Sequence, residues 1–110
     1  MKIYRLVLEA LHKLQEIKSL EKSGELTNQR ARAARLGIWK EVGCDAHTGF
    51  VIVAPGERHA RDIAAARAVA AGEPDERASR WLDPKKTRCE AIGEAGVARE
   101  RIVLASFRNG

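Results

Sequence analysis

Ile3, Val7, Ala10, Leu14 and Ile17 recur at alternating steps of four and three residues, the spacing of a single stripe along an α-helix. Leu6, Leu11 and Leu20 widen that stripe, and the pattern predicts a helix over about residues 2–22. Ser23-Gly24 interrupts it. Glycine suits the left-handed C-terminal position, and Ser23 or Thr27 offers an oxygen to cap the helix that follows. A second, shorter helix over residues 26–36 would end at Gly37, with Ala31 and Ala34 facing inward and the arginines reaching outward.

From Leu36 onward the period changes. Residues 38–42 and 49–54 read as two strands, joined by the loop 43–48. Pro55-Gly56 ends the second strand, and Glu57 opens an alanine-rich helix to about Ala71 with an acid at its positive end. Gly72-Glu73-Pro74-Asp75 stops that helix. Asp83-Pro84 marks a turn, since the residue before proline avoids helical geometry. Thr87 is placed to cap a short helix through Ile92, and residues 101–107 form a last strand. The order β-β-α-β predicts an α+β fold: a small three-stranded, mainly antiparallel sheet with one face under the alanine-rich helix. Residues 1–35 would be an added N-terminal helical segment. It would pack on the 36–110 domain or, through its apolar stripe, on a second copy to form a homodimer.

Several segments of the second part carry a resemblance. They are Val51-Ile52-Val53-Ala54, Ala60 and Arg61, the turn Trp81-Leu82-Asp83-Pro84, then Cys89-Glu90, and finally Val103 to Phe107 with Gly110. Over about residues 36–110 the chain resembles a family of small bacterial and phage proteins with no assigned activity. Their pattern is a V-V-x-A strand, an E-x-x-A-R helix, a W-L-D-P turn, a Ser/Thr-x-Cys-Glu segment and a strand ending S-F-N-A-G. The resemblance implies a common architecture and a phage or mobile-element setting. The stretch before Trp81, Asp75 to Arg80, departs from the family's shorter acidic, glycine-containing link. A cation, Arg108, stands near the end where the family has a small neutral residue. The first 35 residues have no counterpart in it.

Charge changes the picture. The 110 residues carry a formal net charge of +5. Residues 1–40 hold nine Lys/Arg against four Asp/Glu, whereas residues 41–110 hold eleven of each. The excess therefore lies outside the region of resemblance. Arg30, Arg32, Arg35 and Lys40 follow one another without an intervening acid, a pattern that favours an acidic partner, either nucleic acid or an acidic protein face. Lys85, Lys86 and Arg88 form a second basic group which, with Arg80 and Trp81, would make a cation-plus-aromatic surface of the kind that stacks on single-stranded bases. The competing reading of Trp81 is a core indole over the sheet. There is no apolar run of the ~20 residues that span a bilayer. The opening residues do not read as a signal peptide, and two distant cysteines suit reduced thiols. The expected location is cytoplasmic.

Candidate chemistry is thin. Cys44 and His47 have C-x-x-H spacing, with His59 and Cys89 as further donors, but a zinc site needs three or four converging ligands and no second paired motif exists. Cys89 with His47 or His59 as base is the candidate thiol nucleophile. The isolated glycines form no phosphate loop. No cofactor, metal or catalytic set is expected. The function expected first is a non-enzymatic interaction protein that inhibits or adapts a host macromolecule, an anti-CRISPR-like inhibitor being its most concrete form. Direct nucleic-acid binding through residues 26–40 is the alternative, and a small thiol enzyme using Cys89 the remote one. The partner-binding residues would be Arg30, Arg32, Arg35, Lys40, Lys85, Lys86 and Arg88.

Overall fold

The computed structural model describes residues 1–96 and 99–108; Asn109 and Gly110, the end of the C-terminal motif, lie outside the described residues. The elements run β1 (Lys2–Leu8), α1 (Glu9–Ser23), α2 (Asn28–Val42), β2 (Ala46–Ala54), α3 (Glu57–Ala70), α4 (Asp75–Ala78), a 3₁₀ turn (Ser79–Leu82), β3 (Thr87–Glu94) and β4 (Arg101–Arg108). The fold class is α+β, with a four-stranded sheet in the order β3-β1-β2-β4. Every neighbouring pair of strands is antiparallel.

Three segments differ from the expectation, and with them the strand count rises from three to four. Residues 2–8 are a strand, not the start of a helix. Tyr4, Leu6 and Leu8 are buried in alternation with Ile3, Arg5 and Val7, the period of a pleated strand. On a helix Leu6 and Leu8 would point about 200° apart. In β1 they share a face, Leu6 lying opposite Phe50 on one side and Cys89 on the other.

Residues 38–42 are helical, so the expected hairpin between 38–42 and 49–54 does not form. Ile38 and Val42, four apart, are both buried on the inner side of α2. Gly37 does not end the helix; it sits on the outside with open space around it, a local cost of about 1 kcal/mol that packing overrides. The stop comes at Gly43, whose φ of 83° and ψ of 174° belong to glycine's own region of backbone space.

The third difference lies at residues 87–92, which form β3 and not a short helix. Thr87 caps nothing there. It is fully buried, paired in register with Leu8.

Strand pairing sets Tyr4, Leu6, Leu8, Phe50 and Ile52 on one face. α3 covers that face with Ala60, Ala64 and Ala68 at every fourth position, all fully buried, and alanine lets helix and sheet approach closely. Trp81 of the 3₁₀ turn is likewise fully buried and meets Phe50 edge-on at 4.8 Å. The core reading of Trp81 is therefore the one the fold adopts. Residues on both sides of the 35/36 boundary contribute to this one sheet.

Between β1 and β2 the chain makes a helical hairpin. Gly24, at φ 84°, closes α1, and Thr27 caps α2 by accepting from the amide of Arg30 at 3.3 Å. Ala10, Leu14 and Ile17 of α1 and Ala31, Ala34 and Ile38 of α2 continue the core. The hairpin packs chiefly on itself, and the molecule measures 49 × 29 × 21 Å.

Candidate functional site

The outer surface of α2 gathers most of the first basic group. Arg32, Leu36 and Lys40 follow a helical row on its exposed side, while Arg30, two residues before Arg32, is exposed on another side of the first turn. Leu36 is 63% exposed between Arg32 and Lys40. Among the described residues, no carboxylate lies within ion-pair distance of Arg30, Arg32 or Lys40. Arg35 stands apart from this face. It is half-buried, and its Nη1 donates to both carboxylate oxygens of Glu21 at 3.3 Å, tying α2 to α1.

The second basic group is split by the fold. Lys85 and Lys86 are exposed in the turn before β3, where the Lys85 amide donates to Asp83 Oδ1 at 2.8 Å. Arg88 makes a two-point pair with Glu9, Nε to Oε2 at 2.6 Å and Nη2 to Oε1 at 2.9 Å. That pair holds Glu9 below the usual carboxylate range and Arg88 above its ordinary value, the hydrogen bond being the main cause in both. Trp81 is fully buried and Arg80 nearly so, so the expected stacking surface of Trp81, Arg80 and these cations does not exist. Arg80 instead donates to the carbonyls of Val42 and His47.

Cys89 opens onto a cleft of about 790 Å³ between the β1–β3 ladder, α1 and the start of α3. Its thiol is pushed up to about 11, first by burial and then by the charge of Glu57. Such a thiol stays protonated at neutral pH, the opposite of an activated nucleophile. The histidine that shares this cleft is His12. His59 faces Glu100 at 3.8 Å, and His47 is committed elsewhere. Cys44 is exposed. Among the described residues, no group of three or more His, Cys, Asp or Glu side chains is arranged to hold a metal ion.

Two buried polar knots were not visible in the sequence. His47 Nδ1 lies 2.7 Å from Glu73 Oε2, with both residues almost fully buried. The His47 ring stacks on Phe50 at 4.9 Å and meets Phe107 edge-on at 5.0 Å. In the second knot, the Arg61 guanidinium donates to Thr87 Oγ1 at 2.7 Å, to the Thr87 carbonyl at 3.1 Å and to the Trp81 carbonyl at 3.1 Å. Arg61 also reaches Glu57 at 3.1 Å. Both knots join α3 or its C-terminal exit to the sheet. The sequence signal for the second knot is a charge, Arg61, embedded in an alanine-rich run; His47 and Glu73 carry none.

No protein-family model, curated protein or solved structure matches this chain. Among the described residues, no helix is long and apolar enough to cross a membrane.

Proposed function

We propose that the protein is a non-enzymatic binding protein that presents the outer face of α2 to an acidic surface of a macromolecular partner, inhibiting or adapting it. The observation that carries this reading is the row of Arg32, exposed Leu36 and Lys40 on α2, with Arg30 exposed in the first turn of the same helix, on a hairpin that packs mainly on itself. Unpaired cations steer association, and an apolar residue among them adds contact area on docking. A raised thiol value at Cys89 weighs against the thiol-enzyme reading. The phage or mobile-element setting, and an anti-CRISPR-like role within it, rest on the sequence resemblance alone.

Direct binding to nucleic acid uses the same cations. Its weakness is the burial of Trp81, which removes the expected stacking platform. The deciding experiment compares wild-type protein with the Arg30→Glu/Arg32→Glu/Lys40→Glu variant, in pull-downs from bacterial lysate and in gel shifts with generic DNA and RNA over a salt series. A protein partner captured by wild type and lost by the variant supports the proposal. Nucleic-acid binding that falls steeply with salt replaces it with the alternative. Equal behaviour of both proteins in every assay overturns both.

A further inference from the structure

β4 lies at one edge of the sheet and, among the described residues, pairs only with β2. Its outer row of backbone N–H and C=O groups is therefore open to a further strand. The two edges are protected differently. β3, at the opposite edge, carries Arg88, Glu90 and Glu94, and charges along an edge discourage pairing. Between Arg101 and Arg108, β4 has none: the run is Ile102-Val103-Leu104-Ala105-Ser106-Phe107. Val103 is 55%, Leu104 58% and Phe107 42% exposed.

This edge is also held in place. Arg108 lies 4.4 Å over the Trp39 ring and donates to the carbonyls of Trp39 at 3.3 Å and Gly43 at 3.1 Å. Phe107 rests edge-on against His47. β4 bulges at Val103, where its register against β2 shifts; along Leu104 to Phe107 a strand added here meets a pre-organised stretch of backbone, which lowers the ordering cost of binding.

We infer that the outer edge of β4 docks an extended peptide segment of a partner protein, apolar at alternate positions in its middle and acidic at both ends. Charge selects this occupant. Arg99 and Arg101 stand at one end of β4, with Arg108 at the other, next to the helix turn that bears Lys40. The acid between Arg99 and Arg101, Glu100, is turned to His59. A second copy of this chain fits worse. A second β4 would bring a strand whose ends are themselves cationic, Arg101 and Arg108, and like charges brought together along a ladder are destabilising. Main-chain hydrogen bonds supply the affinity of such an added strand, while its end charges and alternate side chains supply selectivity.

The test uses a fluorescein-labelled synthetic peptide, Asp-Asp-Val-Thr-Ile-Thr-Val-Asp-Asp, with the full chain. Fluorescence anisotropy should show saturable binding, and amide exchange within Ile102 to Phe107 should slow about tenfold in the complex. Peptides N-methylated at alternate amides, on one register or the other, should leave one form unable to bind wild-type protein. Leu104→Glu, at an exposed position, should keep the wild-type melting curve and weaken binding at least tenfold. Protection on β3 instead of β4, equal binding of a Lys-flanked peptide, or no binding at all overturns the inference. So does sedimentation showing a dimer that Leu104→Glu dissolves, since the edge would then be occupied by a second copy.

Discussion

His47 and Glu73 are held 2.7 Å apart, Nδ1 to Oε2, in the core beside the buried Arg80, which donates to the His47 carbonyl at 3.4 Å. The same carboxylate oxygen also accepts from the His47 backbone amide at 3.3 Å. One acid at the exit of α3 thus receives two donors from a single residue of β2. It ties the end of the helix to the first residues of the strand.

Glu73→Ala should lower stability by about 2–4 kcal/mol, because it strands two buried donors at roughly 1–3 kcal/mol each. Removing Glu73 Oε1, which has no hydrogen-bond partner among the described residues, offsets part of that loss. Urea unfolding measures the difference. An unchanged midpoint would show that the pair contributes nothing to holding α3 on β2.

Cys89 should react slowly with iodoacetamide, and exposed Cys44 should be alkylated first, as peptide mapping by mass spectrometry would show. At pH 8 a thiol at about 11 is ionised in only about one molecule in a thousand. The folded state binds this proton more tightly than the unfolded chain does. Stability should therefore fall as pH rises from about 9 to about 11, where the unfolded thiol has lost its proton and the folded one has not. Cys89→Ala should flatten that part of the pH profile. Rapid alkylation of Cys89 at pH 7 would contradict the burial argument.

Ile17→Ala should loosen the helical hairpin. Ile17 is the deep residue of α1 facing α2, and truncating a buried isoleucine costs about 2–5 kcal/mol. Because the hairpin packs mainly on itself, amide exchange in α1 and α2 should accelerate more than in β1 and β2. Uniform acceleration throughout the chain would mean that hairpin and sheet open as one unit.

Gly43→Ala should destabilise by at least about 1–3 kcal/mol. An added Cβ at φ 83° would collide with the Arg77 guanidinium, which is held by the Cys44 carbonyl at 2.8 Å. Pairing the change with Arg77→Ala should relieve the collision but not the backbone strain. Thermal denaturation of the single and double variants separates the two.

Reversal of Arg30, Arg32 and Lys40 to glutamate should leave the fold intact, with stability within about 0.5 kcal/mol of wild type, as for most surface changes. Partner association should slow sharply. Stopped-flow association rates against the captured partner give the readout, and an unchanged rate would remove α2 from the interface.

Parts of this architecture are legible along the chain because the information is local. The alanine-rich helix, its start at Glu57, the stop near Gly72, the cap at Thr27 and the glycine ending α1 depend on residues within a turn of each other. The basic run of α2 is equally plain, since charge composition needs no partner. What the sequence leaves open are segments that satisfy two periods at once. Residues 2–8 carry both a helical stripe through Ile3 and Val7 and a strand alternation through Tyr4, Leu6 and Leu8. Burial on both sides, against β2 and β3, decides for the strand, and those partners lie more than 40 residues away. Residues 38–42 hold Ile38 and Val42 at a spacing that a helix exploits, although their β-branched composition suggests a strand. Packing of α2 on α1 settles it. Thr87 and Arg61 have polar side chains that only the assembled sheet, helix and turn can satisfy. Arg35 and Arg88 look like free cations in sequence, yet Glu21 and Glu9, distant along the chain, occupy them. Local propensity and charge thus determined the alanine-rich helix, the caps and the basic run of α2; long-range strand pairing, which alone can bury a backbone ladder on both sides, decided the sheet, and tertiary packing decided the full length of α2 and the acids that hold Arg35 and Arg88.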